Sequence, residues 1–148
     1  DLVINIFVNS LINSGNITVD GDGKQWRPFI SLTDVSKIYE KIILKENLPS
    51  FVINLVAFNS TIKNLAFKIV KYFNLSKKNI KFVSKNKDPR NYKTKSKNLK
   101  KYLGNIKFTS FNHEINNLVK GIKKYKIKSN ASTIRMKFYK RKFLNKNK

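Results

Sequence analysis

Two arginines stand beside sharp turns of the chain, and their side chains suit an oxyanion. Arg27 follows the run DGDGKQ and Trp26, and it opens the short apolar stretch PFISL. Arg90 follows Asp88 and Pro89, which set a turn, with Tyr92 just beyond. A guanidinium presents a planar fork of N–H donors that matches a phosphate or carboxylate. Two such forks converging on one pyrophosphate would make a physically sensible grip. Each position also has a plainer reading. Arg27 can pack its stem on Trp26 while its head reaches water, and the bases around Arg90 can form a solvated face. Trp26 is either a stacking surface or a packing anchor. Asp34 reads as a helix cap rather than a catalytic acid, and His113 as a surface or capping residue.

Other chemistry is thinly represented. The chain has no cysteine, which removes disulfides and thiolate metal sites, and its single histidine leaves little basis for histidine-based zinc chemistry. One histidine also gives no basis for a Ser-His-Asp arrangement. No G-x-G-x-x-G or G-x-x-G-x-x-G run occurs, so a dinucleotide-binding turn has no candidate. DGDGK has too few glycines and the wrong context for a P-loop, and the basic runs match neither an RRM nor a zinc finger. No catalytic residue and no metal ligand is assigned.

The elements that must position these residues follow from periodicity and punctuation. LVINIFVNSLI reads as a buried helix ending near Asn13 to Gly15, where glycine permits a left-handed exit. NITV reads as a strand and DGDG as a tight turn. RPFISL reads as a strand whose Pro28 places it at an edge or the start of an element. Thr33 or Asp34 is expected to cap a helix striped by Val35, Ile38, Tyr39, Ile42 and Ile43. LPSFVINLVAF is expected to hold a strand buried on both faces. Ser60 or Thr61 should cap a helix striped by Ile62, Leu65, Ala66, Ile69, Val70 and Phe73. NIKFV reads as another strand. SKNLKKYLG reads as a short helix stopped by Gly104, and SFNHEINNLVKGIKKY as a last helix. Strands alternating with helices point to an α/β sheet with helical crossovers.

Charge is divided unevenly along the chain. Residues 1–62 carry five basic and six acidic side chains, a net of −1. Residues 63–148 carry 27 basic and two acidic ones, a net of +25 that would attract any polyanion. Yet 20 asparagines accompany the lysines, and the two together read as compositional bias rather than a selected nucleic-acid surface. Residues 126–148 hold nine basic side chains and no acid. They read as a basic, poorly ordered tail; the alternative is a polyanion- or membrane-surface helix using Ile134, Met136, Phe138 and Phe143. No apolar run approaches the ~20 residues of a membrane span. The opening DLVINIFVNSL has neither Met nor the basic start of a signal peptide, and is expected to be the interior of something longer.

The order of these pieces resembles a known family. DGDGKQWRPFISLTDVSKIYEKII is similar to G-D-G-x-Q-x-R-x-F-[IV]-x-[VL]-x-D-[VI], a signature of the extended short-chain dehydrogenase/reductases. These are the NAD-dependent epimerases and dehydratases of nucleotide sugars. FVINLVAFNSTIKNLAFKIVKYF resembles the family's F-N-[VL]-G strand, loop and helix, with Ala57 near the usual glycine. DPRNYKTKSKNLKKYLGNIKF resembles its D-x-R-x-[YF] and K-x-x-x-x-L-G segments, and DLVINIFV the helix start lining its sugar-nucleotide pocket. The likeness covers residues 1–125.

That resemblance implies the carboxyl-terminal part of a doubly wound, Rossmann-like fold plus the small substrate-binding lobe. It implies that Arg27 and Arg90 hold the diphosphate of a nucleotide-diphosphate sugar. Leu2 would contact the nucleotide, Val19 and Asp20 would edge the base pocket, and Asp34 would be structural. It further implies NAD in the parent protein, a parent homodimer and a cytoplasmic location. The family's Y-x-x-x-K pair has no counterpart: the residue four positions after each of the six tyrosines is Ile, Ser, Ser, Ile, Ser or Phe. In that family the Tyr takes a proton from a sugar hydroxyl as hydride passes to NAD, aided by the Lys. The chain alone is therefore expected to bind no NAD and to be inactive. The alternatives are a basic nucleic-acid-binding or ribosome-associated module, and a non-catalytic, degenerate family member.

Overall fold

The computed structural model describes residues 2–50, 52–84 and 89–128. Helix α1 spans Val3–Ser14 and ends on Gly15 at φ 70°, whose N–H donates to the Leu11 carbonyl at 2.9 Å. Strand β1 (Ile17–Asp20) leads through a turn with Gly21 and Gly23 at positive φ into strand β2 (Trp26–Phe29). Helix α2 (Leu32–Ile43), strand β3 (Phe58–Thr61) and helix α3 (Ile62–Tyr72) follow. A 3-10 turn at Lys77–Asn79, strand β4 (Ile80–Val83), helix α4 (Lys97–Leu103) and helix α5 (Phe111–Lys124) complete the described elements.

The strands form two pairs. β1 and β4 are parallel, with Ile17 opposite Ile80 and Asp20 opposite Val83. β2 and β3 are antiparallel, with Arg27 opposite Ser60 and Pro28 opposite Asn59. The fold class is thus α/β, as expected, with a parallel pair joined by helical crossovers. Alternation along β1 buries Ile17 and Val19 and exposes Thr18 and Asp20. The buried side joins Phe7, Val8 and Leu11 of α1, Leu65, Ala66, Ile69 and Val70 of α3, and Ile115 and Ile122 of α5 in one core. Each Val, Leu, Ile or Phe among them contributes about 1.5–3 kcal/mol on burial, and Ala66 less. Ser31, Thr61 and Ser110 cap α2, α3 and α5 through side-chain oxygens that accept the amides of Asp34, Asn64 and His113. No described helix is long and apolar enough to cross a membrane.

Three local expectations need correction. The cap of α2 is Ser31, which keeps an extended backbone (φ −82°, ψ 156°), whereas Thr33 and Asp34 already lie inside the first turn. The apolar stripe of α2 is only partly buried. Ile38 is fully covered, but Tyr39 and Ile43 are 57% and 79% exposed. The helix meets the rest of the described molecule along a narrower seam than its sequence pattern offers. Finally, 52–57 is not a strand buried on both faces: Val52 is 81% exposed, and regular pairing begins only at Phe58. Side chains of a later segment satisfy this run instead. Asn98 Nδ2 donates to the Val52 carbonyl at 3.0 Å, and the Val56 amide donates to Ser96 Oγ at 3.2 Å.

Of the basic tail, 126–128 is described. The Ile127 amide donates to the Ile122 carbonyl at 3.0 Å, and Asn13 Nδ2 donates to the Ile127 carbonyl at 3.3 Å. The expectation of a poorly ordered tail, and its alternative helix, otherwise fall on residues 129–148, outside the described residues.

Candidate functional site

The β1–β2 turn is fixed from below by the start of α3. The amides of Ile62 and Lys63 donate to the Gln25 and Gly23 carbonyls at 3.2 and 2.9 Å, and the Gly21 amide donates to the Val83 carbonyl at 2.7 Å. Asp22 Oδ1 accepts the Lys24 amide at 3.0 Å, an Asx-type turn that shapes the tip. This support delivers Trp26 and Arg27 to the edge of the β2–β3 pair in a set direction.

A strap, residues 90–96, runs along that pair into the start of α4. Asn91 Oδ1 accepts the Trp26 amide at 2.9 Å, and the Tyr92 amide donates to the Trp26 carbonyl at 3.4 Å. The Asn59 side chain forms a two-bond clasp with Thr94: Nδ2 donates to the Thr94 carbonyl, and Oδ1 accepts the Thr94 amide, both at 2.9 Å. Half-buried Arg27 reaches across, and its Nη1 donates to the carbonyls of Trp26 and Arg90, each at 2.6 Å. The guanidinium carbon lies 5.0 Å from the centroid of the Tyr92 ring, and Lys93 Nζ lies 3.7 Å from that of Trp26. The carbonyls and ring orient a guanidinium at a rim that also carries Arg90 and Lys93. Such a rim can take an anion through charge-assisted N–H donors.

The structure therefore brings positions 27 and 90 together. Asp20 is exposed at the carboxyl end of β1. Val19 is 1% exposed, its side chain packed in the core, so contact with a ligand at this position would come from its backbone. Leu2 is 71% exposed at the start of α1, a helix that packs on α3, α5 and β1. Asn91 and Lys93 were not singled out by type, and Tyr92 was marked only as the aromatic that follows Arg90. The signal for the strap was the alternation of Thr94 and Ser96 with lysines in KTKSK.

Asp34 is a structural anchor. Its carboxylate is 2% exposed and accepts the Thr109 hydroxyl at 2.7 Å and the Thr109 amide at 3.0 Å, tying the lead into α5 to α2. Burial by itself pushes this carboxyl upward. The Thr109 hydroxyl and amide, then Ser31, then Lys37 at 3.8 Å outweigh it and hold the pKa below the ordinary value. His113 is exposed in the first turn of α5.

The lysines cover aromatic rings on several separate elements. Lys63 Nζ lies 5.7 Å from the Phe67 centroid, and Lys68 Nζ lies 5.5 Å from that of Phe58. Five positions apart on α3, these two lysines leave the helix about 140° from one another. The two lysines therefore do not share one face of α3.

No protein-family model matches the sequence, and no curated protein sequence does. Solved structures do match. A dTDP-glucose 4,6-dehydratase from Bacillus anthracis, in complex with NAD, is 19% identical with a TM-score of 0.67, over 92% of this chain and 42% of that one. A UDP-N-acetylglucosamine 4-epimerase from Methanobrevibacter ruminantium is 22% identical with a TM-score of 0.69, over 84% and 40% of the two chains. A UDP-glucuronic acid 4-epimerase from Bacillus cereus, in complex with UDP-glucuronic acid and NAD, is 18% identical with a TM-score of 0.70, again over 84% and 40%. The chain spans about two-fifths of the length of these structures. It has the α/β fold of part of the nucleotide-sugar dehydratases and epimerases.

Proposed function

We propose that the chain is the substrate-binding portion of an NAD-dependent nucleotide-sugar epimerase or dehydratase, with Arg27 and Arg90 holding the substrate diphosphate. Leu2, the backbone at Val19, and Asp20 would edge the nucleotide. The observation that carries this reading is the hydrogen bond from Arg27 Nη1 to the Arg90 carbonyl, 63 positions along the chain. It joins the two arginines on a fold shared with nucleotide-sugar enzymes. Arg27 orients one fork and the strap carries the other, so the pyrophosphate is recognised by geometry as well as charge.

The β1–β2 turn does not have the form of a dinucleotide-binding turn. Gly21 and Gly23 lead from β1 into β2 rather than into a helix, so no helix N-terminus follows the turn to face a pyrophosphate. No tyrosine has a lysine four residues on. NAD and the acid–base pair are therefore assigned to the rest of the parent protein, and no redox step to this chain.

Calorimetric titration with UDP- and dTDP-sugars tests the assignment. R27A and R90A should each weaken binding about tenfold or more, the scale of a lost charge-assisted hydrogen bond. Equal affinity in wild type and both variants overturns it.

A further inference from the structure

Farther along the strap, away from the arginine rim, a hollow of about 240 Å³ is lined by Val52, Asn54, Lys95, Lys97 and Asn98. The strap's own fastening creates it. Ser96 turns inward, where its Oγ donates to the Asn54 carbonyl and accepts the Val56 amide, and Asn98 Nδ2 holds the Val52 carbonyl. Ser96 is the N-cap residue of α4, so Lys95 stands just before the helix and Lys97 opens its first turn. Both lysines line the hollow, and no acidic residue does.

We propose that this hollow is a binding site for a small phosphate-bearing anion, either inorganic phosphate or a compact phosphomonoester. Two ammonium groups match the charge of a phosphate dianion, and their rotatable donors suit its tetrahedral oxygens. The Asn54 amide adds a neutral hydrogen-bonding group at the wall. The volume lies below the roughly 300 Å³ at which sites for drug-sized ligands begin, so a whole nucleotide sugar does not fit. The site is distinct from the diphosphate grip and does not depend on it.

The test is titration of the full chain at low salt with inorganic phosphate and, separately, with ribose 5-phosphate, read by backbone amide chemical shifts. Saturable shifts are expected at Asn54 and at 95–98. The K95A/K97A double variant should weaken them about tenfold or more. K120A/K123A on α5 should change them by less than about twofold, since those charges are screened at a distance. R27A should leave them unchanged, which separates this site from the arginine rim. Tighter binding of ribose 5-phosphate would identify an organic ester as the ligand, and equal binding the phosphate group alone; both support the site. Absence of saturable shifts with either anion, or equal weakening by the two lysine pairs, overturns it.

Discussion

At the scale of single residues, Arg27 and Asp34 show how one sequence neighbourhood serves two purposes. Arg27 is held by the Trp26 and Arg90 carbonyls at a rim, whereas Asp34 is buried and fastens Thr109. Because the folded pKa of Asp34 lies below its unfolded value, its stabilising contribution is complete above about pH 4, the unfolded range for an Asp. It disappears as pH falls through the lower, folded value. D34A is expected to cost about 1–3 kcal/mol at pH 7, since it leaves the Thr109 amide without its acceptor. The cost should shrink as pH falls through the folded value, where the wild-type carboxyl is also protonated. Urea unfolding of both proteins across pH 2–7 would show this, and a gap that stays constant would refute it. The sequence marked Asp34 as structural, yet its main partner lies 75 positions away. No local pattern could have named Thr109.

At the scale of elements, ends were easier to read than faces. Gly15, Thr61 and Gly104 stand where the sequence placed them, because capping depends on a side chain and the backbone within four residues of it. The stripe of α2 and the apolar run before β3 depended on what lies opposite, and both differed. The β1–β2 turn offers a sharp check on close packing. Gly15 and Gly23 both have positive φ, but a Cβ on Gly15 meets nothing within 4 Å, while one on Gly23 meets the backbone N of Lys63 at 3.0 Å. Gly15→Ala should cost roughly 1–2 kcal/mol, for the left-handed backbone alone. Gly23→Ala should cost more by about 1–3 kcal/mol, the added cost of overpacking. Equal shifts in urea midpoint would mean that the turn can move off α3.

At the scale of the whole molecule, charge and fold are independent. The core is built by α1, β1, α3, β4 and α5, while the basic excess is carried mainly by 63–148, and described lysines such as Lys63 and Lys68 lie over aromatic rings. Self-repulsion at a net charge of +24 opposes compactness. Raising sodium chloride from about 0.01 M to about 0.1 M shortens the Debye length from about 30 Å to about 10 Å. The thermal midpoint should rise over that range; a fall or no change would show that specific ion pairs outweigh the repulsion.

The sequence by itself determined the α/β alternation, most helix ends, the apolar stripe of α3 and the absence of a Tyr–Lys acid–base pair. These are properties of residue type and spacing within a few turns of chain. Only the tertiary structure decided that Arg27 meets the Arg90 carbonyl, that Val19 belongs to the core, and that the strap's side chains replace a strand at 52–57. Each of those outcomes depends on which distant segment lies alongside. The free energy that selects the neighbour comes from burying the shared core and satisfying polar groups across it, and neither is written in any one stretch of residues.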